Sequence, residues 1–425
     1  MHDIGPDEME RRTWIISRIE DTIRRYGFRK VEPSFVEHLD TLTAKSGEAV
    51  LGEVYHFKDK GGRDLALRFD LTVGMARMVA NSFDLREPIK FYALSPNWRY
   101  DEPQYGRYRC FWQWDVETYG VAEPSADAEV VAVGLSVAES AGLDDVVAKL
   151  SSRRLLETLL KKAGAADSGK VSYLLRTLDK ASKIDAGELR RMVSASGLGE
   201  QATEQIVSFG KIKGAYDKVC GELEKAAGPE GSQALAELGS TVDELASLGF
   251  ANKVEVDLGI VRGLDYYDGV VFEGVDSRLP KAGSLFGGGR YNGLTGLYGK
   301  RSLPATGVAG GIERMMLSLE AAGKQHRETP AVSVYVAAAS SELRLKAASV
   351  CAKLRESGIV AEYPLKDWPL RRQLEYADAL GRTHVMVVGK REIESHLYTL
   401  KALKSGEQRQ LTLEDTIREL SSINR

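Results

Sequence analysis

Within the twenty residues Trp98–Glu117, WRYDEPQYGRYRCFWQWDVE, stand three arginines, four carboxylates and seven aromatics. A core strand would be mostly Val, Ile and Leu, and a solvated loop would not carry three tryptophans. Side chains of an extended segment alternate faces. Arg109, Phe111, Gln113, Asp115 and Glu117 therefore share one face, and Cys110, Trp112, Trp114 and Val116 the other. An amphipathic strand with its polar face in water accounts for the alternation. It leaves unexplained Arg99, at a strand end, and Arg107, beside Gly106. Guanidinium grips phosphate or carboxylate through paired hydrogen bonds, so the stretch reads as a surface for a charged, partly aromatic ligand.

Three further stretches carry chemistry. In VRGLDYYDGVVFE, Val261–Glu273, Arg262 stands close to Tyr266 and Tyr267; taken alone, this reads as hairpin decoration, since tyrosines are ordinary strand residues. In LFGGGRYNGL, Leu285–Leu294, three successive glycines let backbone approach a ligand closely. The stretch fits neither the P-loop nor the dinucleotide-binding pattern. In ATGVAGGIERMMLSLE, Ala305–Glu320, a helix stripe of Ile312, Met315, Met316 and Leu319 leaves Arg314 off the stripe, near the helix start. A cation there opposes the helix dipole unless an anion sits close.

These residues need scaffolding. Ile15, Ile16, Ile19 and Ile23 mark one face of a first helix ending near Gly27. Pro33 points to an edge strand or a break. FKDKGGRDLALRFD is strand-like, and Thr72 is a candidate N-cap for a helix turning Met75, Met78 and Val79 inward. KFYALSPNWRY and RCFWQWDVETYG form an antiparallel pair around the loop at Pro103 and Gly106. Residues 167–246 change to an Ala-, Lys-, Glu- and Leu-rich helical texture inserted into a first domain spanning 1–166 and 247–325. Asp268–Gly269 is a hairpin signal. A linker ends at Pro330, and 331–425 alternates strand and helix, predicting a small α/β domain with a partly parallel sheet.

Composition narrows the class. The chain has 425 residues, 43% hydrophobic and 28% charged, which predicts a soluble protein of two or three domains. It has no run of about 18 apolar residues to span a membrane, and its N-terminus lacks the apolar core of a secretory signal. The three cysteines are isolated, which fits a reducing cytoplasm. Neither they nor the six histidines show metal-ligand spacing. A net charge of −3 argues against nonspecific coating of nucleic acid. From Ala331 onward, 15 Lys and Arg face 12 Asp and Glu.

Taken together and in this order, the four stretches resemble class II aminoacyl-tRNA synthetases, and among them the histidyl-tRNA synthetase family. Residues 27–42 resemble the first class motif, which forms dimers; 91–119 the second; and 305–320, with G-G-I-E-R, the third. RGLDYY and GGGRYNGL resemble the two signatures of the histidine family, and the C-terminal segment resembles its anticodon-binding domain. The implied fold is an α+β catalytic domain built on an antiparallel sheet, with a helical insertion and a C-terminal α/β domain. The implied reaction joins L-histidine to ATP as histidyl-adenylate, then transfers histidine to the 3′ end of tRNA(His), in a cytoplasmic homodimer.

The resemblance also implies roles. Asp70, Thr72 and Gln113 hold the α-amino group, and Glu117 and Tyr267 reach the imidazole, with Tyr266 and Tyr291 shaping its pocket. Arg99 meets the ATP α-phosphate and Arg107 the outer phosphates. Arg262 bridges carboxylate and α-phosphate, Arg314 lies against the nucleotide, and Mg²⁺ arrives with ATP rather than on a protein metal site. The chain departs from the common pattern at Asp70, often Glu, and at Glu102, where many relatives carry Arg. The rival readings are a synthetase-like regulatory subunit of histidine biosynthesis, a synthetase for another amino acid, and a generic nucleotide-binding protein.

Overall fold

A computed structural model describes the chain except residues 1–2, 45–46, 83, 101, 103–105, 182–183, 263–266, 279–282, 325–331 and 424–425, and the side chains of 47–49. It divides into two compact units, Met1–Arg327 and Glu328–Arg425. The expected linker before Pro330 falls largely outside the described residues.

The first unit is organised by a nine-stranded sheet whose centre is antiparallel. The strand Ile89–Trp98 pairs with Cys110–Tyr119 over its whole length, from Ile89 opposite Tyr119 to Trp98 opposite Cys110. Next come Ala305–Gly311, Phe286–Arg290, Val270–Asp276 and Val146–Ser152, each antiparallel to the strand before it. Parallel pairings occur toward the edges, where Arg29–Lys30 lies beside Ile89–Trp98 and Val254–Asp257 beside Val146–Ser152.

Alternation along the central strands divides two cores. Tyr92, Leu94, Trp114, Val116 and Val308 face a large core shared with the helices Pro6–Arg25 and Pro124–Ser140. Phe91, Ala93 and Tyr119 face a smaller one with Met75, Val79, Tyr267 and Tyr291. The polar face of Cys110–Tyr119 is thus mostly buried: Gln113, Asp115 and Glu117 lie out of water, while Arg109 and Phe111 around its start are half-buried. The helices of 168–247 supply Leu174, Leu189, Ile206, Leu223 and Leu238 to the same large core.

Three local expectations are corrected. Thr72 is the first residue of the helix Thr72–Ala80, not its cap; Asp70 accepts the Val73 N–H at 3.1 Å instead. Within that helix Met75 and Val79 are buried while Met78 is only half-buried. Asp268–Gly269 makes no two-residue hairpin, because Val254–Asp257 pairs with Val146–Ser152 rather than with Val270–Asp276. Asp268 instead accepts from the backbone and side-chain nitrogens of Asn292.

The second unit holds a five-stranded sheet. Ser333–Ala338 lies between Val360–Glu362 and His384–Val388, all parallel, and Tyr398–Ala402 and Gln408–Leu411 continue antiparallel. Val334, Val336, Met386 and Leu400 pack with Val350, Leu354 and Leu420 of two helices, while Tyr335, Ala337 and Val385 pack with Ala377 on the other face.

Candidate active site

The polar face of Cys110–Tyr119 is sealed beneath the start of the helix Thr72–Ala80. Asp70, Thr72, Gln113, Asp115 and Glu117 are all buried. Thr72 donates its hydroxyl to Glu117 Oε1 at 2.7 Å, with Asp115 Oδ2 at 3.3 Å. Gln113 Nε2 donates to Asp115 Oδ1 at 2.7 Å, and Asn97 Nδ2 reaches Gln113 Oε1 at 3.4 Å. Tyr291 donates its hydroxyl to the second oxygen of Glu117, and its ring meets Tyr267 edge-on at 6.5 Å. Tyr266 lies outside the described residues.

Burial of so many acids must be offset, because a desolvated carboxylate resists ionisation. Burial holds the Asp70 carboxyl above its ordinary range. Burial, with Asp70 next in effect, pushes Asp115 up to about 7. Burial and then Asp115 hold Glu117 well above the usual carboxylate range. A pocket walled by such groups favours a ligand that brings positive charge or hydrogen-bond donors.

The glycine-rich strands form the floor. Glu117 lies over Gly307, its strand neighbour, where a Cβ would stand 1.6 Å from Glu117 Oε2. A Cβ at Gly287 would stand 2.2 Å from Arg262 Nη1, and one at Gly288 only 1.9 Å from the Gly307 carbonyl oxygen. The glycines therefore clear space for catalytic-looking side chains as well as for close strand pairing.

The arginines gather at one margin. Arg262 has φ of 61°, a left-handed conformation uncommon outside glycine. It reaches Glu273 Oε1 at 3.2 Å, and its guanidinium carbon lies 5.8 Å from the Tyr267 ring centre. Arg99 donates to the Phe69 carbonyl at 2.9 Å and lies over the Phe111 ring. Arg314 is held by the carbonyls of Gly106 at 3.2 Å and Ser284 at 2.8 Å. Burial disfavours the charge on Arg314, and Arg107, Arg99 and, less strongly, Arg262 add to this, opposed by Glu273. Arg314 thus feels three further cations, the four coming from three segments, with Arg107 exposed at the edge. Like charges gathered this way call for an anion with several negative oxygens.

Other charged residues in the motifs are internal struts. Arg290 donates to Asp127 Oδ2 at 2.9 Å and to the carbonyls of Val121 and Glu123. Arg68, which sequence reasoning passed over, is buried and bonds Glu32, Ser95 and the carbonyls of Pro33 and Pro96. Glu313, beside Arg314, accepts from the Trp112 N–H and pairs with Arg12 at 3.1 Å. Asp115 and Asn97 were likewise given no role from sequence. Asp115's signal was its place between Gln113 and Glu117 on the polar face.

Known proteins resemble this chain over nearly its whole length. Residues 1–315 match the family model described as histidyl-tRNA synthetase, and 333–423 that of an anticodon binding domain. The chain is 36% identical over 425 residues to a histidine–tRNA ligase of Thermococcus kodakarensis, covering 99% of this chain and 97% of the relative. It is 36% identical over 409 residues to one from Haloarcula marismortui, covering 96% and 93%. Among solved structures, the histidyl-tRNA synthetase of Nostoc sp. PCC 7120 is similar with a TM-score of 0.86 at 25% identity, covering 99% of this chain and 97% of that one. The chain belongs to the histidyl-tRNA synthetase family.

Proposed function

We propose that the protein activates L-histidine with ATP to give histidyl-adenylate and pyrophosphate, then transfers histidine to the 3′ end of tRNA(His). The observation that carries this reading is the gathering of Arg99, Arg107 and Arg262 around Arg314, with Arg262 beside Tyr267 of a buried cluster that includes Glu117 and Tyr291.

In the first step the histidine carboxylate attacks the α-phosphorus and pyrophosphate leaves. The nucleophile is already an anion, so no general base is needed. The protein must bring two negative groups together and stabilise charge growing at phosphorus. Arg262 bridges the carboxylate and the α-phosphate, Arg99 contacts the α-phosphate, Arg107 the outer phosphates, and Arg314 lies against the nucleotide. Mg²⁺ enters as part of the ATP complex. Asp70, Thr72 and Gln113 hold the ammonium. Glu117 and Tyr267 meet the imidazole, whose ring nitrogens need one donor and one acceptor when neutral. Tyr291 shapes the pocket, and Tyr266 is given the same role on resemblance alone.

In the second step a terminal ribose hydroxyl of the tRNA attacks the adenylate carbonyl, losing its proton as the ester forms and the bond to phosphate breaks to release AMP. Residues 1–166 and 247–325 act as the catalytic domain, 167–246 as its helical insertion, and 331–425 as the anticodon-binding domain. The enzyme works in the cytoplasm as a homodimer through the segment around Pro33. Sedimentation equilibrium at micromolar concentration is expected to give twice the chain mass, and a monomer would remove that assignment.

The decisive test is histidine-dependent ATP–pyrophosphate exchange. Arg262→Ala is expected to lower kcat by about 10²- to 10³-fold, the scale for losing one transition-state charge stabiliser. Exchange with another amino acid would overturn the pocket assignment. No exchange with any amino acid would favour a synthetase-like regulatory subunit.

A further inference from the structure

The pocket holds a third buried acid to which neither the motifs nor the family resemblance assigns a task. Asp115 is fully shielded from solvent at the middle of the Cys110–Tyr119 strand. We propose that Asp115 is a positioning residue for the substrate α-ammonium, acting through Gln113 and Thr72, and that it sets the preference for an amino acid over its desamino analogue. This rests on the histidine-activating reading above.

The argument is one of donors and acceptors. An ammonium group only donates, so a site that grips it must present acceptors. Gln113 carries one end of each kind, and Thr72 can act as either. Asp115 Oδ1 takes the Gln113 amide NH₂ at 2.7 Å. That leaves Oε1 at the other end of the amide, where the only nearby protein donor found is Asn97 Nδ2, at a long 3.4 Å among the described residues. Asp115 Oδ2 and Glu117 together engage the single Thr72 proton, at 3.3 and 2.7 Å, so the hydroxyl oxygen keeps its lone pairs for a donor. Asp70 stands close enough to be the foremost charge acting on Asp115. The ionised acid therefore turns two ambiguous side chains into acceptors beside a third acceptor, Asp70. The incoming cation in turn offsets the cost of holding carboxylates out of water.

A purely structural Asp115, satisfying its neighbours and no more, would affect folding and all ligands alike. Asp115→Asn separates the two cases, because it keeps the shape but offers an NH₂ donor to one of the two partners. In the full-length protein, the KM for histidine in ATP–pyrophosphate exchange is expected to rise about 10- to 100-fold, the scale of a hydrogen bond to a charged group. The KM for ATP is expected to stay within about twofold. So is the inhibition constant of 3-(imidazol-4-yl)propionate, which is histidine without its amino group. On a Gln113→Ala background the same change should add less than about threefold, since linked residues are not additive. Should Asp115→Asn not fold, Asp115→Ser, which retains an acceptor, is expected to show a smaller loss with the same selectivity.

Equal weakening of histidine and its desamino analogue would overturn the proposal. So would an unmoved KM for histidine, or full additivity with Gln113→Ala. A wild-type chain without histidine-dependent exchange would sink the functional reading itself, whereas wild-type exchange indifferent to Asp115→Asn would sink this inference alone.

Discussion

Asp115 and Glu117 bind protons more tightly in the folded chain than in the unfolded one, since burial raises both. Folding therefore retains a proton on Asp115 between its ordinary value of 3.8 and about 7. Where the native state binds more protons, stability falls as pH rises. The contribution of Asp115 is fully present below its unfolded value and is lost as pH climbs through about 7. Urea unfolding of the ligand-free protein across that window should show a shallower decline for Asp115→Asn than for the wild type. Identical slopes would mean that the carboxyl ionises as freely in the fold as in water. At this scale the types of the site residues could be read in advance, but their partners could not. Thr72 looked like a helix cap, yet its hydroxyl turns inward to Glu117 because Asp70 has taken the backbone N–H.

Among the elements, the glycine-bearing strands Phe286–Arg290 and Ala305–Gly311 do two separable tasks. At Gly307 a methyl group would strike chiefly the end of the Glu117 carboxylate, with the Val116 carbonyl oxygen farther off at 2.9 Å. At Gly288 it would strike the Gly307 backbone, which cannot move without opening the strand pair. Gly307→Ala is thus expected to raise the KM for histidine at least about tenfold with modest loss of stability, the loss of one charged hydrogen-bond partner. Gly288→Ala should cost about 1–3 kcal/mol in urea unfolding, the usual penalty of overpacking. Similar behaviour of the two variants would contradict the division of labour. Three glycines in a row announced close approach in the sequence, but which of them faces a side chain and which a backbone depends on strand register. The Asp268–Gly269 misreading has the same origin: the turn chemistry was real, but the strand it should have paired had a different partner across the sheet.

For the molecule as a whole, the two units each carry their own core. Residues 1–327 alone are expected to retain histidine-dependent ATP–pyrophosphate exchange within about tenfold, while tRNA charging falls by about 10²-fold or more through loss of phosphate and base contacts. Loss of exchange on truncation would place part of the activation chemistry in the C-terminal unit. The helical stretch 168–247 was legible as helix from composition. Its contribution of Leu174, Ile206 and Leu238 to the main core is a matter of long-range packing.

The amino-acid sequence alone determined the elements, the alternation that put Gln113, Asp115 and Glu117 on one face, and the inventory of arginines and aromatics. Those properties follow from backbone periodicity and side-chain chemistry, which are local. Only the tertiary structure decided that this polar face is sealed rather than wet. It alone brought Arg99, Arg107 and Arg262, the last 52 positions from Arg314 in the chain, within electrostatic reach of Arg314. It also revealed that Asp115 accepts from both Gln113 and Thr72. Each of those outcomes depends on distances across strands and between distant segments, and desolvation and hydrogen-bond pairing are set by that three-dimensional neighbourhood.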